Sequence, residues 1–358
     1  MAMKKNSIVI IMLLVLALCC NIFLVSCQSG KDVSDQPGKS QKTEQSGKSG
    51  QSGQVSKITS KGIAIFANKE LETIVRERIG KPEGDIHVND LKEITEIYLD
   101  FSNGNKGISY FNGEQNSENV NGKKIRRDDF VDLALFQDLN HLSVVCLPVE
   151  TYTVEAIGEL KNLISLTLDE CDVKDISALG SLKNLTELNL NRNYGLKDIS
   201  PLSGLKNLTR LSLGIDLSDE RCIKILAGMT DLTELELHHN DPYGVHDIEG
   251  LSVLTNLTGL DLTNCNFGEL DGLKALKDLP NLKKLALKLN RIYDVSALSA
   301  FKNLTHLDLS QNEISDISAL SGLTKLTHLR LANNNISDTS ALSGLTEIID
   351  LDLSGNPV

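Results

Sequence analysis

Twelve ionisable side chains alternate with leucines and so fall on one face of the chain: Asp169, Glu187, Glu234, Glu236, His238, Asp261, Lys284, Lys288, His306, Asp308, His328 and Arg330. They come from short phrases such as Thr305-His306-Leu307-Asp308-Leu309, where extended backbone sends successive side chains to opposite sides. Rows of carboxylates, amines and imidazoles offer reversible ion pairing and hydrogen bonding, which is the chemistry of recognition. Acids dominate the earlier phrases, while Lys284, Lys288 and Arg330 stand in the later ones, so the face reads as dipolar. No Trp, Tyr or Phe occupies these strand positions, although buried aromatics supply much of the energy of many interfaces. Covalent chemistry lacks its parts. There is no Ser-His-Asp set tied to a motif, no phosphate-cradling loop and no His-Glu helix motif, so neither an enzyme nor a cofactor is expected.

The one stretch of metal-like composition is His238, His239, Asp241, His246 and Asp247. Its spacing matches no ligand pattern, and adjacent strand histidines point to opposite sides, so no metal is expected. The acids Asp216, Asp219 and Glu220 read as a helix start with Ser218 as N-cap. Cys171 and Cys265 sit at a repeated core position and are expected to be buried thiols rather than disulfide partners, whereas Cys146 is the thiol expected to react.

What positions the twelve is a repeat, L-x-x-L-x-L-x-x-N/C-x-I-x-D-I-x-x-L-x-x-L, with a basic period of 22 residues. Its anchors fall at Leu142, Leu163, Leu185, Leu208, Leu232, Leu257, Leu282, Leu304, Leu326 and Ile348. So short a coil cannot bury its own leucines, and each must stack on the next, which predicts a leucine-rich-repeat solenoid. The expected class is α/β: a curved parallel sheet on the concave face, strands about 4.8 Å apart, short helical or 3-10 turns on the convex face, and a small helical N-terminal cap. At the ninth position stand Asn193, Asn240, Asn290, Asn312, Asn334 and Asn356, whose buried amides can bond the turn and the adjoining coil. Asp175, Asp198, Asp247, Asp294, Asp316 and Asp338 recur where a carboxylate can cap a helical turn.

Residues 1–26 read as a secretory signal, with Lys4 and Lys5 before the apolar run 8–18. The ending Leu24-Val25-Ser26-Cys27 resembles the bacterial lipobox. That resemblance implies lipidation of Cys27 and anchoring to the extracellular face of the bacterial membrane; the alternative is an uncleaved anchor, since residues 8–25 are about long enough to cross a bilayer. Residues 27–60 are Ser, Gly, Gln and Lys with almost no large apolar side chain, the composition of a disordered tether reaching roughly 110 Å at most.

Residues 61–93 read as a helical cap, with Leu71, Ile74, Val75 and Ile79 on one face and Gly80 as terminator. The solenoid then spans 94–358 and is interrupted by an insertion at 100–130 that holds Tyr110, Phe111 and the basic group Lys123, Lys124, Arg126 and Arg127. Ile65-Phe66-Ala67-Asn68, residues 71–76, Gly80-Lys81-Pro82, Asp90-Leu91 and Ile94-Thr95 resemble the cap of the internalin family, whose repeats also run to 22 residues. The resemblance covers about 61–358 and implies an extracellular protein-binding module of Gram-positive type. It departs in ending at Asn356-Pro357-Val358, without the immunoglobulin-like domain or wall-sorting signal of many internalins.

The whole chain carries −12, and without Lys4, Lys5 and the tether's five lysines and three acids the repeat-bearing part carries −16. Such a body excludes nucleic acid as a partner. The reading is a membrane-anchored, adhesin-like monomer that binds a protein on a host or neighbouring cell through its concave face. The alternative is an envelope scaffold or sensor of the cell's own wall or membrane components. Two rival surfaces are the insertion and the edge after the strands, where Tyr194, Tyr243 and Tyr293 fall.

Overall fold

Leucines two apart in each repeat phrase close the core, and the strands they belong to line up in one sheet. The computed structural model describes residues 57–67, 69–100, 102, 108–111, 114–115, 132–215, 219–238, 248–267 and 271–358. The signal segment, Cys27 and most of the tether and insertion lie outside these residues, as do Asn68, Ser218, His239, Asn240, Asp241, Tyr243, His246 and Asp247.

The cap begins with β1 (Lys57–Ile58), inside the stretch read as tether, paired antiparallel with β2 (Ala64–Ile65). Helix α1 (Lys69–Arg78) follows, burying Leu71, Ile74 and Val75, while Glu72 on its outer side is held by Lys69 and Arg76, each at 2.7 Å. Gly80 ends it at φ +64°, a conformation that costs a side-chain-bearing residue far more. Two contacts fasten the cap to the first coil. The Ala67 N–H donates to the buried Asp132 carboxylate at 2.7 Å, and Phe66 meets Phe136 edge to face at 6.2 Å.

The repeats then supply β3 (Glu96–Asp100), β6 (His141–Val145), β7 (Ser165–Asp169), β8 (Glu187–Leu190), β9 (Arg210–Leu213), β10 (Glu234–Leu237), β11 (Gly259–Asp261), β12 (Lys284–Ala286), β13 (His306–Asp308), β14 (His328–Arg330) and β15 (Asp350–Asp352). These eleven are parallel, each beside the next. Part of the insertion joins them: β4 (Ile108–Phe111) pairs antiparallel with β3, and β5 (Glu114–Gln115) with β4, so the sheet has thirteen strands among the described residues. The opposite side of each coil is a 3-10 turn such as Ser318–Gly322, widened to helix α2 (Thr151–Gly158) and helix α3 (Glu220–Ala227) in two coils. One apolar cluster runs unbroken from Ala64 to Leu345.

Polar atoms inside that cluster are matched by the asparagines. The Asn312 amide donates to the Leu287 and Leu309 carbonyls at 3.0 and 2.9 Å, and its oxygen accepts the N–H groups of Asn290 and Ile292 at 2.9 and 3.0 Å. Asn193, Asn290, Asn334 and Asn356 repeat the pattern, each linking its own turn to the preceding coil. Cys171 and Cys265, buried as expected, keep the donor half: their thiols reach Val144 and Leu237 carbonyls at 3.3 and 2.9 Å.

The recurring aspartates sit one residue earlier than a cap. Ile317 holds the N-cap position, and Asp316 accepts the Ser318 N–H at 2.7 Å as a two-residue side-chain turn. The same bond forms at Asp175, Asp198, Asp294 and Asp338. In coil four the N-cap of α3 is Asp219, not Ser218: its carboxylate accepts from the Arg221 N–H at 2.9 Å.

Two outcomes follow. Replacing Asn312 by Ala strands several buried backbone groups, each costing roughly 1–3 kcal/mol, so chemical denaturation is expected to show a loss of about 3 kcal/mol. Exposed Asn335→Ala stays within about 0.5 kcal/mol. The serine N–H groups hold Asp175, Asp198, Asp316 and Asp338 below their ordinary 3.8. Stabilisation from groups lowered in this way is complete above the unfolded value and is lost as pH falls through the folded one. Melting temperature is therefore expected to drop below about pH 4.

Candidate binding surface

The strand register sorts the outward side chains into rows. One row runs Glu187, Arg210, Glu234, Gly259, Lys284, His306, His328, Asp350 across β8 to β15. The next runs Asn189, Ser212, Glu236, Asp261, Ala286, Asp308, Arg330, Asp352. Asp169 closes β7, His238 follows β10 directly, and Lys288 lies two residues past β12. All twelve residues singled out from sequence lie on the strand side between buried leucines, and none is itself buried.

Most of this charge is matched within the face. Arg210 meets Glu187 at 2.6 Å, Lys284 meets Glu234 at 3.6 Å, His238 meets Asp261 at 3.5 Å, and Arg330 meets Asp350 at 3.7 Å. Glu236 accepts the Ser212 hydroxyl at 2.6 Å, and Asp308 turns to its own backbone at Ser310, 2.9 Å away. The Glu234–Lys284 pair spans two coils because Gly259 stands between them: a side chain there would collide with the Glu234 carboxylate, which lies across the glycine. Pairs this exposed contribute about 0–1 kcal/mol each, so they set the pattern of the surface more than its stability. The acidic and basic halves expected from sequence are thus stitched together.

A second cluster lies at the rim after the strands. Arg192 grips Asp169 through two bonds of 2.9 and 2.5 Å and reaches Glu170 at 3.3 Å. Burial pushes the Asp169 carboxyl up, with Arg192 opposing it. Burial pulls the His238 imidazole down, but Asp261, Glu236 and Asp169 outweigh it and leave it above its ordinary value. Arg192 was not apparent as a surface residue, because it stands in a left-handed turn, φ 57°, and reaches back to the strand of the preceding coil.

Several expectations change. Tyr98 stands on β3 in the row of Ser143, Thr167 and Asn189, so an aromatic does occupy the strand face, with Tyr110 opposite it in register. This strand precedes the insertion and the first anchor, Leu142, so it lies ahead of the coils whose outward positions the repeat signature marks. Cys146 is not a reactive thiol: burial, then the Glu170 carboxylate 3.5 Å from its sulfur, pushes it up to about 12. Tyr194 and Tyr293 are 62% and 52% exposed, on the edge read as a rival surface. Among the described residues, no group of three or more His, Cys, Asp or Glu is arranged around a metal position, and no helix is long and apolar enough to cross a membrane.

Fold and face together define a leucine-rich-repeat solenoid of the kind used for binding. Leucine rich repeat family models match residues 255–314 and 293–336, and a two-copy repeat model matches 161–204. The chain is internalin-like in structure. It is similar to the internalin inlF of Listeria monocytogenes, at 26% identity over 82% of this chain and 83% of that one with a TM-score of 0.59. The fold is shared with the functional domain of InlJ from Listeria monocytogenes, which includes a cysteine ladder, at 20% identity over 81% of this chain and 60% of that one with a TM-score of 0.50. No curated protein matches the chain.

At pH 8 the folded protein is expected to alkylate at Cys146 about 100-fold more slowly than an unfolded thiol of pKa near 8.5, a roughly 2,000-fold loss of thiolate being partly offset by the greater nucleophilicity of the more basic thiolate. Peptide mass spectrometry after timed iodoacetamide treatment reads this directly, and rapid labelling would contradict the assigned surroundings.

Proposed function

We propose that this chain is a membrane-anchored extracellular binding protein, adhesin-like, that takes a protein ligand from a host or neighbouring cell onto its strand face. Lipidation at Cys27 holds it on the outer face of the bacterial membrane, and the polar tether lifts the repeats clear of the surface. It acts as a monomer and needs no cofactor or enzymatic step. The observation that carries the reading is the eleven-strand parallel face itself, whose side chains are accessible in register rows on a frame they do not support. The leucine-rich-repeat frame is typical of protein-binding modules, and the strongly acidic body disfavours nucleic acid. A face whose charges are pre-paired suits such a ligand: exchanging one ion pair for another across an interface costs little Coulomb energy and rejects partners of the wrong pattern.

Glu187, Glu234, Glu236, Asp261, Lys284, His306, Asp308, His328 and Arg330 form the contact surface in this proposal, with Asp169, His238 and Lys288 at its margins. Tyr98, in the row of Asn189, is an aromatic of the same strand face.

The compact unit Gly53–Val358, immobilised, is offered in parallel to host-membrane extract and to the bacterium's own envelope fraction. Saturable capture from the host extract is expected, weakened tenfold or more by Glu234→Lys with Glu236→Lys. Capture from the envelope fraction alone would favour the scaffold or sensor reading, and capture untouched by the double substitution would move the contact surface to the tyrosine edge.

A further inference from the structure

The strand face holds a second kind of chemistry where β13 and β14 meet. His306 and His328 are register partners, and their rings stack at 4.1 Å between centroids with only 8° between planes. Stacking alone is a surface accident in many proteins; here both rings are also oriented. Thr305 Oγ1 stands 2.9 Å from His306 Nδ1, and Thr327 Oγ1 stands 2.9 Å from His328 Nδ1.

The repeat indicates which partner carries the proton. Thr186, Thr209 and Thr233, in coils without a histidine at the next position, direct the same hydroxyl at the carbonyl of the preceding coil, at 3.3, 3.2 and 3.1 Å. Thr305 and Thr327 make that same bond, to the Lys283 and Thr305 carbonyls at 3.2 and 3.0 Å. A hydroxyl has one proton. With it given to the carbonyl, each threonine oxygen accepts from the imidazole, so Nδ1 bears the hydrogen on both rings and both Nε2 atoms carry a free lone pair. A hydrogen bond from the far nitrogen is the device by which metal-binding histidines are held in the right tautomer.

The charged groups around the pair are Lys284 on β12, Asp308 on β13, Arg330 on β14 and Asp350 on β15. Both cations are occupied, Lys284 with Glu234 and Arg330 with Asp350. Asp350 is also the register neighbour of His328, one coil on, so a carboxylate stands next in the row.

We propose that His306 and His328 bind one borderline divalent transition-metal ion, of the zinc class, through their Nε2 atoms on the strand face. Imidazole nitrogen suits such ions, and an ion about 2.0–2.1 Å from each nitrogen requires the two rings to tilt off parallel toward one another. The chain itself contributes two ligands, with the Asp350 carboxylate within one coil. The remaining positions stay open toward the concave side, for water or for a carboxylate or imidazole of a bound partner. The site is therefore of exchangeable rather than structural strength, and it stands independently of the protein-capture proposal.

The test uses the full chain with zinc chloride alone. Isothermal titration at pH 7.5 is expected to show a micromolar site that weakens tenfold or more in His306→Ala and in His328→Ala, with circular dichroism reporting that both variants remain folded. Nitrogen-15 NMR of the metal-free protein is expected to show Nδ1 protonated and Nε2 bare on both rings, and zinc is expected to shift the Nε2 signals. Zinc affinity unchanged in both variants would overturn the proposal, as would Nε2-protonated rings whose signals do not respond to zinc.

Discussion

Every coil of this protein must bury peptide groups that have no helix or hairpin of their own, and the asparagine amides answer that demand. An amide is both donor and acceptor at fixed spacing. Asn193 shows the consequence: it donates to Leu168 and Leu190 carbonyls and accepts from Cys171 and Val173 N–H groups, tying two coils through one side chain. The leucines provide most of the driving force through burial, but they do so without direction. The amides make the stacking specific by admitting only the register in which every buried carbonyl finds its donor.

Because the frame is closed by inward groups, the outward groups of the same strands are released from any part in folding. They have been organised instead against one another. Glu187 with Arg210, Glu234 with Lys284, and Arg330 with Asp350 form a chequered surface in an otherwise strongly acidic protein. The glycine at 259 belongs to this pattern rather than to the fold, since its missing side chain is what lets Glu234 reach Lys284. The paired imidazoles of His306 and His328 come from the same economy of the register: the repeat places identical residues in contact at identical orientation.

Fold legibility came from periodicity. Leucine spacing, the asparagine row and the outward positions could all be placed from sequence, because a strand's alternation and a 22-residue period leave little freedom. What stayed hidden depends on contacts between distant positions. Residues 100–130 break the period, so nothing in composition signals that Ile108–Phe111 turns back beside β3 and brings Tyr110 opposite Tyr98. Cys146 stands on the outward side by alternation, yet burial, and then Glu170 delivered by the next coil's left-handed turn, pushes its thiol up. Asp316 and its counterparts have the composition of a cap but act one residue earlier, through a bond that depends on the backbone of Ile317. His306 and His328 are 22 residues apart in sequence, and only the stacked register makes them neighbours.

Native-state hydrogen exchange tests the central claim most directly. If the amide row is what locks the coils, the N–H groups bonded to asparagine oxygens, at Val173, Ile292 and Ile314, exchange only by an opening as large as global unfolding, with one common free energy along the stack. Exchange of those amides at rates near those of the exposed turns, or with unrelated free energies from coil to coil, would contradict it.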